Sequence, residues 1–247
     1  MLTSTPAIIL HAFPYGETSR IVRLATRDHG VQSGLAKGAQ GAKSRFGGRL
    51  QILSEGVAHF YLKPGRDLHT LAAFDLTHQR VELAHDLARY AAALAAAELV
   101  LRFAPSDPHP ALFDTLAGAL DHCVAVPAED VARTGLAALW QLLVVLGFGP
   151  AMDTCARCGG DLRGSTRFGV ADGGLLCRRC AAARTTSALG ADDVATLRAL
   201  VEGAELPAGL APTHLRAHRR LLARFVRRHV SEEREMGALD FWERQPA

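Results

Sequence analysis

Lysine is nearly absent: Lys37, Lys43 and Lys63 are the only lysines among 28 basic residues. Arginine carries the positive charge, a bias that follows genome composition and does not by itself point to phosphate. Long apolar runs are missing too. The most apolar stretch, residues 136–148, contains Trp140 and Gln141 and falls short of the ~20 residues a membrane span needs. The N-terminus shows no basic leader and no small-residue cleavage site, so no signal peptide is expected, and a soluble, cytoplasmic protein is. Five cysteines are too few for a disulfide-built scaffold in 247 residues. No HExxH or nucleophile elbow occurs and the eleven histidines are scattered, so no catalytic arrangement is visible and an enzyme is not expected. Disorder is excluded by 49% hydrophobic against 21% charged content, which leaves room for one large domain or two small ones.

The net charge of +3 conceals a pattern. Residues 1–80 hold 10 basic against 5 acidic residues, and residues 151–230 hold 13 against 7. Between them, residues 81–150 hold 3 against 8, and the tail from 231 holds 2 against 5. Two basic blocks around an acidic one suggest a polyanionic partner, although chance clustering on a solvated surface accounts for the charge equally well.

Residues 7–76 read as β structure, with strands at 7–12, 20–26, 31–37, 51–62 and 68–75 separated by turns such as Pro14-Tyr15-Gly16 and Lys63-Pro64-Gly65. Five short strands without a helix-length connection imply a small closed barrel, either of the oligonucleotide-binding (OB) fold or SH3-like. From Val81 the period becomes helical, and helices are predicted to Phe103, over 111–126 and over 129–147. Further helices follow at 191–203, capped by Asp192 or Asp193, and at 213–235, before a short tail containing Phe241-Trp242. The expected fold is α+β: an OB barrel over 1–79, then a helical domain over 80–247 with a zinc-finger insertion at about 151–184.

Three constellations carry chemistry. Cys155-Ala-Arg-Cys158, 18 residues, then Cys177-Arg-Arg-Cys180 has the spacing of a four-cysteine zinc site. Four thiolates fill the tetrahedral shell of Zn2+ and leave no position for water, so one structural zinc is implied and a zinc-dependent enzyme acting on nucleic acid is not expected. A pair of redox dithiols is the competing reading. Cys123, alone in a predicted helix, reads as a buried core thiol. Second, residues 34–49 form a glycine-rich loop with Lys37, Lys43, Arg45 and Arg49 and no acid. Such a loop suits a phosphate chain, with Phe46 stacking on a base, or else is simply a solubilising loop. It lacks the Gly-Lys-Ser/Thr of a nucleotide-hydrolysing P-loop. Third, Arg216, Arg220, Arg224 and Arg227 share one face of the last long helix, flanked by Arg228 and opposite Leu215, Leu222, Phe225 and Val226. No acid occurs from Thr213 to Val230. A protein partner, a membrane surface and nucleic acid all fit that face.

The stretch Ala7-Ile-Ile-Leu10 followed by Tyr15-Gly-Glu-Thr-Ser-Arg20-Ile-Val resembles the N-terminal signature of the bacterial RecO recombination mediators. Ala36-Lys37-Gly38-Ala39, Lys43-Ser44-Arg45 and Gly48-Arg49-Leu50-Gln51 continue that pattern, and the cysteine knuckles and helical layout extend it over nearly the whole chain. Gly41 and Ala42 stand where members often carry a further basic residue or proline, leaving this loop less cationic. The resemblance implies an OB barrel and a helical domain with a four-cysteine zinc finger. It implies binding of single- and double-stranded DNA, ATP-independent annealing, and cooperation with RecR and single-strand-binding protein to load RecA. Lys37, Lys43, Arg45 and Arg49 would then track phosphates, extended by Arg20 and Arg66, with Arg216, Arg220, Arg224 and Arg227 as a second DNA surface. An adaptor that binds proteins and holds DNA only weakly is the alternative.

Overall fold

The computed structural model describes residues 2–41, 44–63, 65–165, 167–206, 210–230 and 235–246. It divides into two compact units, Met1–Val126 and Pro127–Ala247.

In the first unit, β1 (Leu2–Tyr15), β2 (Ser19–Thr26), β3 (Gly30–Ala36), β4 (Glu55–Tyr61) and β5 (Leu68–His78) form a closed barrel of order β1-β2-β3-β5-β4. The β3–β5 pair is parallel and the others antiparallel. This is the five-stranded OB-type barrel, and its interior is filled by alternate residues such as Ile9, Val22, Leu24, Phe60, Leu71 and Phe74. Residues 51–54, expected to open the fourth strand, instead turn sharply. Leu53 has φ +70°, an uncommon conformation for a branched side chain, and hydrogen bonds hold it there. Its N–H donates to the Ile9 carbonyl at 2.8 Å, and the Ile9 N–H donates to the Ser54 carbonyl at 3.0 Å.

The first predicted helix starts late. Residues Val81–His85 form a 3-10 turn, and α1 runs from Leu87 to Phe103 because Asp86 is extended and its carboxylate accepts the Arg89 N–H at 2.8 Å. Six alanines and two larger apolar residues of α1 are buried, so it packs closely against β1, β2 and α2 (Pro110–Ala125). Arg89 caps α2 by donating to the carbonyls of Val126 at 2.6 Å and Val124 at 3.0 Å. The α1–α2 connection lies on the β2–β3 turn: a Cβ on Gly30, at φ +65°, would sit 2.5 Å from the Asp107 carbonyl oxygen. Cys123 is buried, and burial pushes its thiol up to about 11.

Arg80 joins these elements. Its side chain has no exposure, Nη2 donates to Glu55 and Nε to Asp121, each at 2.6 Å, and Nη1 donates to the Leu53 carbonyl at 3.3 Å.

The second unit contains α3 (Val131–Val145), strands β6 (Arg167–Gly169), β7 (Gly174–Leu176) and β8 (Ser187–Ala188), then α4 (Arg178–Ala181), α5 (Ala191–Glu202), α6 (Pro212–His229) and α7 (Gly237–Glu243). Trp140, Phe168 and Phe225 meet in its core, with ring centroids 5.3 and 6.3 Å from Phe225. The α5 start differs from expectation in detail: Gly190 is the N-cap, and the Asp193 carboxylate accepts its N–H at 3.2 Å. The last two helices also differ. α6 ends at His229, and the tail forms α7, burying Leu239 and Trp242. Glu232 and Glu233 lie outside the described residues. Among the described residues, no helix is long and apolar enough to cross a membrane.

Removing Arg80 leaves two carboxylates and a carbonyl without their shared donor. Arg80→Ala is expected to destabilise the first unit by about 3 kcal/mol, read as a lower urea midpoint. A loss below ~0.5 kcal/mol, the size of an ordinary surface change, would show that this guanidinium does not hold the barrel to its helices.

Candidate metal centre and nucleic-acid interface

The cysteine segment is built so that backbone bonds, not packing alone, place the sulfurs. The Gly159 N–H donates back to the Cys155 carbonyl at 2.9 Å, and the Cys155 N–H donates to the Gly160 carbonyl at 2.8 Å, closing a tight knuckle. Gly159 sits at φ +68°, where a side chain would be strained. The Ala156 N–H ties this knuckle to β7 through the Leu175 carbonyl at 2.8 Å. Cys177 and Cys180 follow β7 directly, Cys177 as the residue that opens α4. β6 pairs with β7 and β8, and Phe168, Leu175 and Leu176 are buried beneath.

This brings all four sulfurs within 4.8 Å of one another, with Cys158 and Cys177 Sγ 3.9 Å apart. Zn–S bonds of ~2.3 Å in a tetrahedron place sulfurs ~3.8 Å apart, so the set fits a single Zn2+. The chemistry of the donors agrees. Burial pushes the Cys155 thiol up, but N–H groups of Cys177, Cys158 and Arg157 directed at its sulfur outweigh that and bring it down to about 6. Hydrogen bonding from the Gly160 N–H lowers Cys158. Burial and the neighbouring sulfurs push Cys180 up to about 12, as expected for the last thiol of an uncompensated cluster. The Arg179 guanidinium lies beside Cys158, where the sulfur holds it above its usual range.

The basic loop behaves differently from its sequence reading. Lys37, Arg45 and Arg49 are exposed, and Lys43 lies outside the described residues. Phe46, expected to stack on a base, is 1% exposed and packs with Leu50 into the barrel core. An apolar ring in a glycine-rich loop here plugs the barrel rather than facing solvent. Gln40 pins the loop to the β1–β2 hairpin: its N–H donates to the Thr18 carbonyl at 2.8 Å and its side chain to the Ser19 carbonyl at 2.7 Å. Arg20 and Arg66 line separate cavities. Arg20 is half-buried beside Leu50 and Gln51 in one of about 490 Å³. Arg66 lines another of about 700 Å³ together with Arg23, Lys63, His69 and Asp67. Burial lowers the His69 pKa there.

On α6, Leu215, Leu222, Phe225 and Val226 are buried as the periodicity requires, while Arg216, Arg220 and Arg224 are exposed. Arg224 donates to the Ser187 hydroxyl of β8 at 2.9 Å. Arg227 is half-buried between Asp240 at 2.6 Å and Glu243 at 2.5 Å, two carboxylates of α7 that raise its pKa. Arg219 is a structural cation that the sequence reading missed. It is 2% exposed, lies over the Trp242 ring at 5.0 Å, and donates to the Gln245 carbonyl at 2.5 Å. Its position four residues after Leu215 and three before Leu222 already places it on the apolar stripe.

Comparison with known proteins agrees over both units. The family described as Recombination protein O N terminal matches residues 1–80, and that described as Recombination protein O C terminal matches residues 84–236. The family boundary thus precedes α1, whereas packing divides the chain after Val126. The chain is 36% identical over 233 residues to the DNA repair protein RecO of Anaeromyxobacter sp. (strain Fw109-5), covering 90% of this chain and 89% of that one. It is 34% identical over 239 residues to the DNA repair protein RecO of Myxococcus xanthus (strain DK1622), covering 95% and 94%. A third relative, from Rubrobacter xylanophilus, is 34% identical over 224 residues. An OB-type barrel, a four-cysteine cluster and matches to both parts of the family pattern agree, and the chain belongs to the RecO family.

Proposed function

We propose that this protein is a recombination mediator of DNA repair, acting in the bacterial cytoplasm at the nucleoid. It binds single- and double-stranded DNA and anneals complementary strands without ATP. With RecR and single-strand-binding protein it helps load RecA. The observation that carries this reading is an exposed group of cations on a segment without acidic residues of its own in each compact unit: Lys37, Arg45 and Arg49 on the barrel loop, and Arg216, Arg220 and Arg224 on α6. Two strands repel through their phosphates, and annealing requires that both be held and screened at once, which two cationic surfaces provide. Arg20 and Arg66 are assigned to DNA from their separate cavities, and Lys43, outside the described residues, from its place in the loop sequence. Arg227 joins the second surface only by exchanging Asp240 and Glu243 for phosphate. The relatives are named DNA repair proteins, which supports the same assignment.

In this reading Cys155, Cys158, Cys177 and Cys180 hold one structural Zn2+. The ion crosslinks the knuckle to α4, and no chemical step is assigned to it or to any side chain. Cys177→Ser is expected to release the metal and lower the thermal midpoint of the second unit. A full complement of zinc by metal analysis after that change would overturn the site.

For the DNA surfaces, log affinity for single strands should fall linearly with log salt, at a slope of about −0.7 per neutralised phosphate. Replacing Lys37, Arg45 and Arg49 with Ala should flatten the slope by about 2 in total, whereas an unchanged slope removes the loop. The function as a whole is tested by annealing of two complementary oligonucleotides precoated with single-strand-binding protein, without nucleoside triphosphate. Fast, salt-sensitive annealing is expected. Its absence in folded, zinc-loaded protein would transfer the assignment to an adaptor that works through protein contacts.

A further inference from the structure

We infer that Asp193 of α5 with His214 and His218 of α6 forms a second divalent-metal site, taking a cation of the Zn2+ class and lying apart from the four cysteines. This goes beyond the nucleic-acid reading above and does not rest on it. His214 and His218 stand four residues apart on α6, so their rings share one face of the helix. The same spacing lets two imidazoles reach one ion in helical zinc sites. Asp193 comes from the first turn of α5, and its Oδ1 approaches both rings: His214 Nδ1 is 2.6 Å away and His218 Nε2 is 3.4 Å away.

Burial separates this group from a surface ion pair. His218 is 2% exposed, and neither of its ring nitrogens has a hydrogen-bond partner among the described residues. Nε2 faces the Asp193 carboxylate but lies too far out of line to bond with it. A buried imidazole with both nitrogens unmatched is costly and calls for a ligand. Thr196, one turn along α5 on the face of Asp193, is also buried with its hydroxyl unpartnered. The carboxylate is already oriented, because its Oδ2 accepts the Gly190 N–H at 3.2 Å and leaves Oδ1 toward α6. The His214 side chain is 48% exposed, so an ion has a way in from solvent.

The donor set decides the kind of ion. Two imidazoles and one carboxylate suit Zn2+, Ni2+ or Co2+, whereas Ca2+ and Mg2+ take oxygen ligands. Among the described residues, only the four cysteines form a set of three or more donors that already lie within 4.8 Å of one another. At Asp193 the exposed His214 ring turns about its side-chain bonds to meet the ion, which takes the place of the direct contact between the two side chains. Three protein ligands leave a further position for water. The ion so held ties the first turn of α5 to the start of α6, the helix that carries Arg216, Arg220 and Arg224.

Titrating Co2+ into the full chain, with Zn2+ already supplied to the cysteines, distinguishes the two sites by their ligands. A second equivalent of metal should bind with weak visible absorption and without the near-ultraviolet charge-transfer band that sulfur ligands give. His214→Gln should weaken this second binding by at least ~100-fold and leave the zinc content of the cysteine site unchanged. Asp193→Asn keeps an oxygen for the Gly190 N–H, and so preserves the α5 cap, yet should weaken the binding as much. Added Zn2+ should raise the thermal midpoint of the unaltered protein and not that of either variant. No second equivalent in the unaltered protein, a second equivalent that carries the sulfur band, or undiminished binding in either variant overturns the site.

Discussion

A single guanidinium without access to water governs the first unit. Arg80 follows the last barrel strand, and its donors reach a carboxylate on β4, a carboxylate on α2 and the carbonyl of Leu53. A buried cation is tolerated only when its hydrogen bonds are satisfied. That requirement fixes the distance between the barrel wall and the helices. It also helps hold Leu53 in a left-handed conformation that its own side chain disfavours, a strain of order 1–3 kcal/mol. The turn so formed redirects residues 51–54 away from the sheet and lets Leu50 and Phe46 close the barrel end.

The second unit meets a related constraint with sulfur. Its three short strands offer too little apolar surface to fold as a separate sheet. Their backbone is tied to the first knuckle through Ala156 and Leu175, and Phe168 packs on Phe225, which in turn packs on Trp140. Four sulfurs converge where β7 passes into α4, so a tetrahedral ion would link the two halves of the segment.

Arginine does two kinds of work in this chain. Arg80, Arg89 and Arg219 are turned inward and satisfy carboxylates or the open carbonyls of chain and helix ends. Arg216, Arg220 and Arg224 face outward on an amphipathic helix. Arg227 stands between the two, because α7 supplies Asp240 and Glu243 beside it. A planar fork with several donors suits either task, and its pKa keeps it charged in both. A count of basic residues along the sequence therefore overstates the charge available to a polyanion.

Features set by local chemistry were legible without coordinates. The CxxC spacing located the cysteine cluster because each knuckle depends only on adjacent residues, and turn residues marked five strands because turn chemistry is local to each connection. Helical periodicity separated Leu215, Leu222, Phe225 and Val226 from the exposed arginines of α6. What depended on distant partners was not legible. Phe46 became core because the barrel end needed an apolar plug, and Arg227 acquired two carboxylates because α7 folds back beside it. Strand alternation alone does not tell which side is inside. Only barrel closure, which buries Val22, turned Phe13 and Tyr15 outward. Composition and spacing determined the elements, and the N-terminal motifs carried the family resemblance; long-range packing decided which rings and cations were left for solvent.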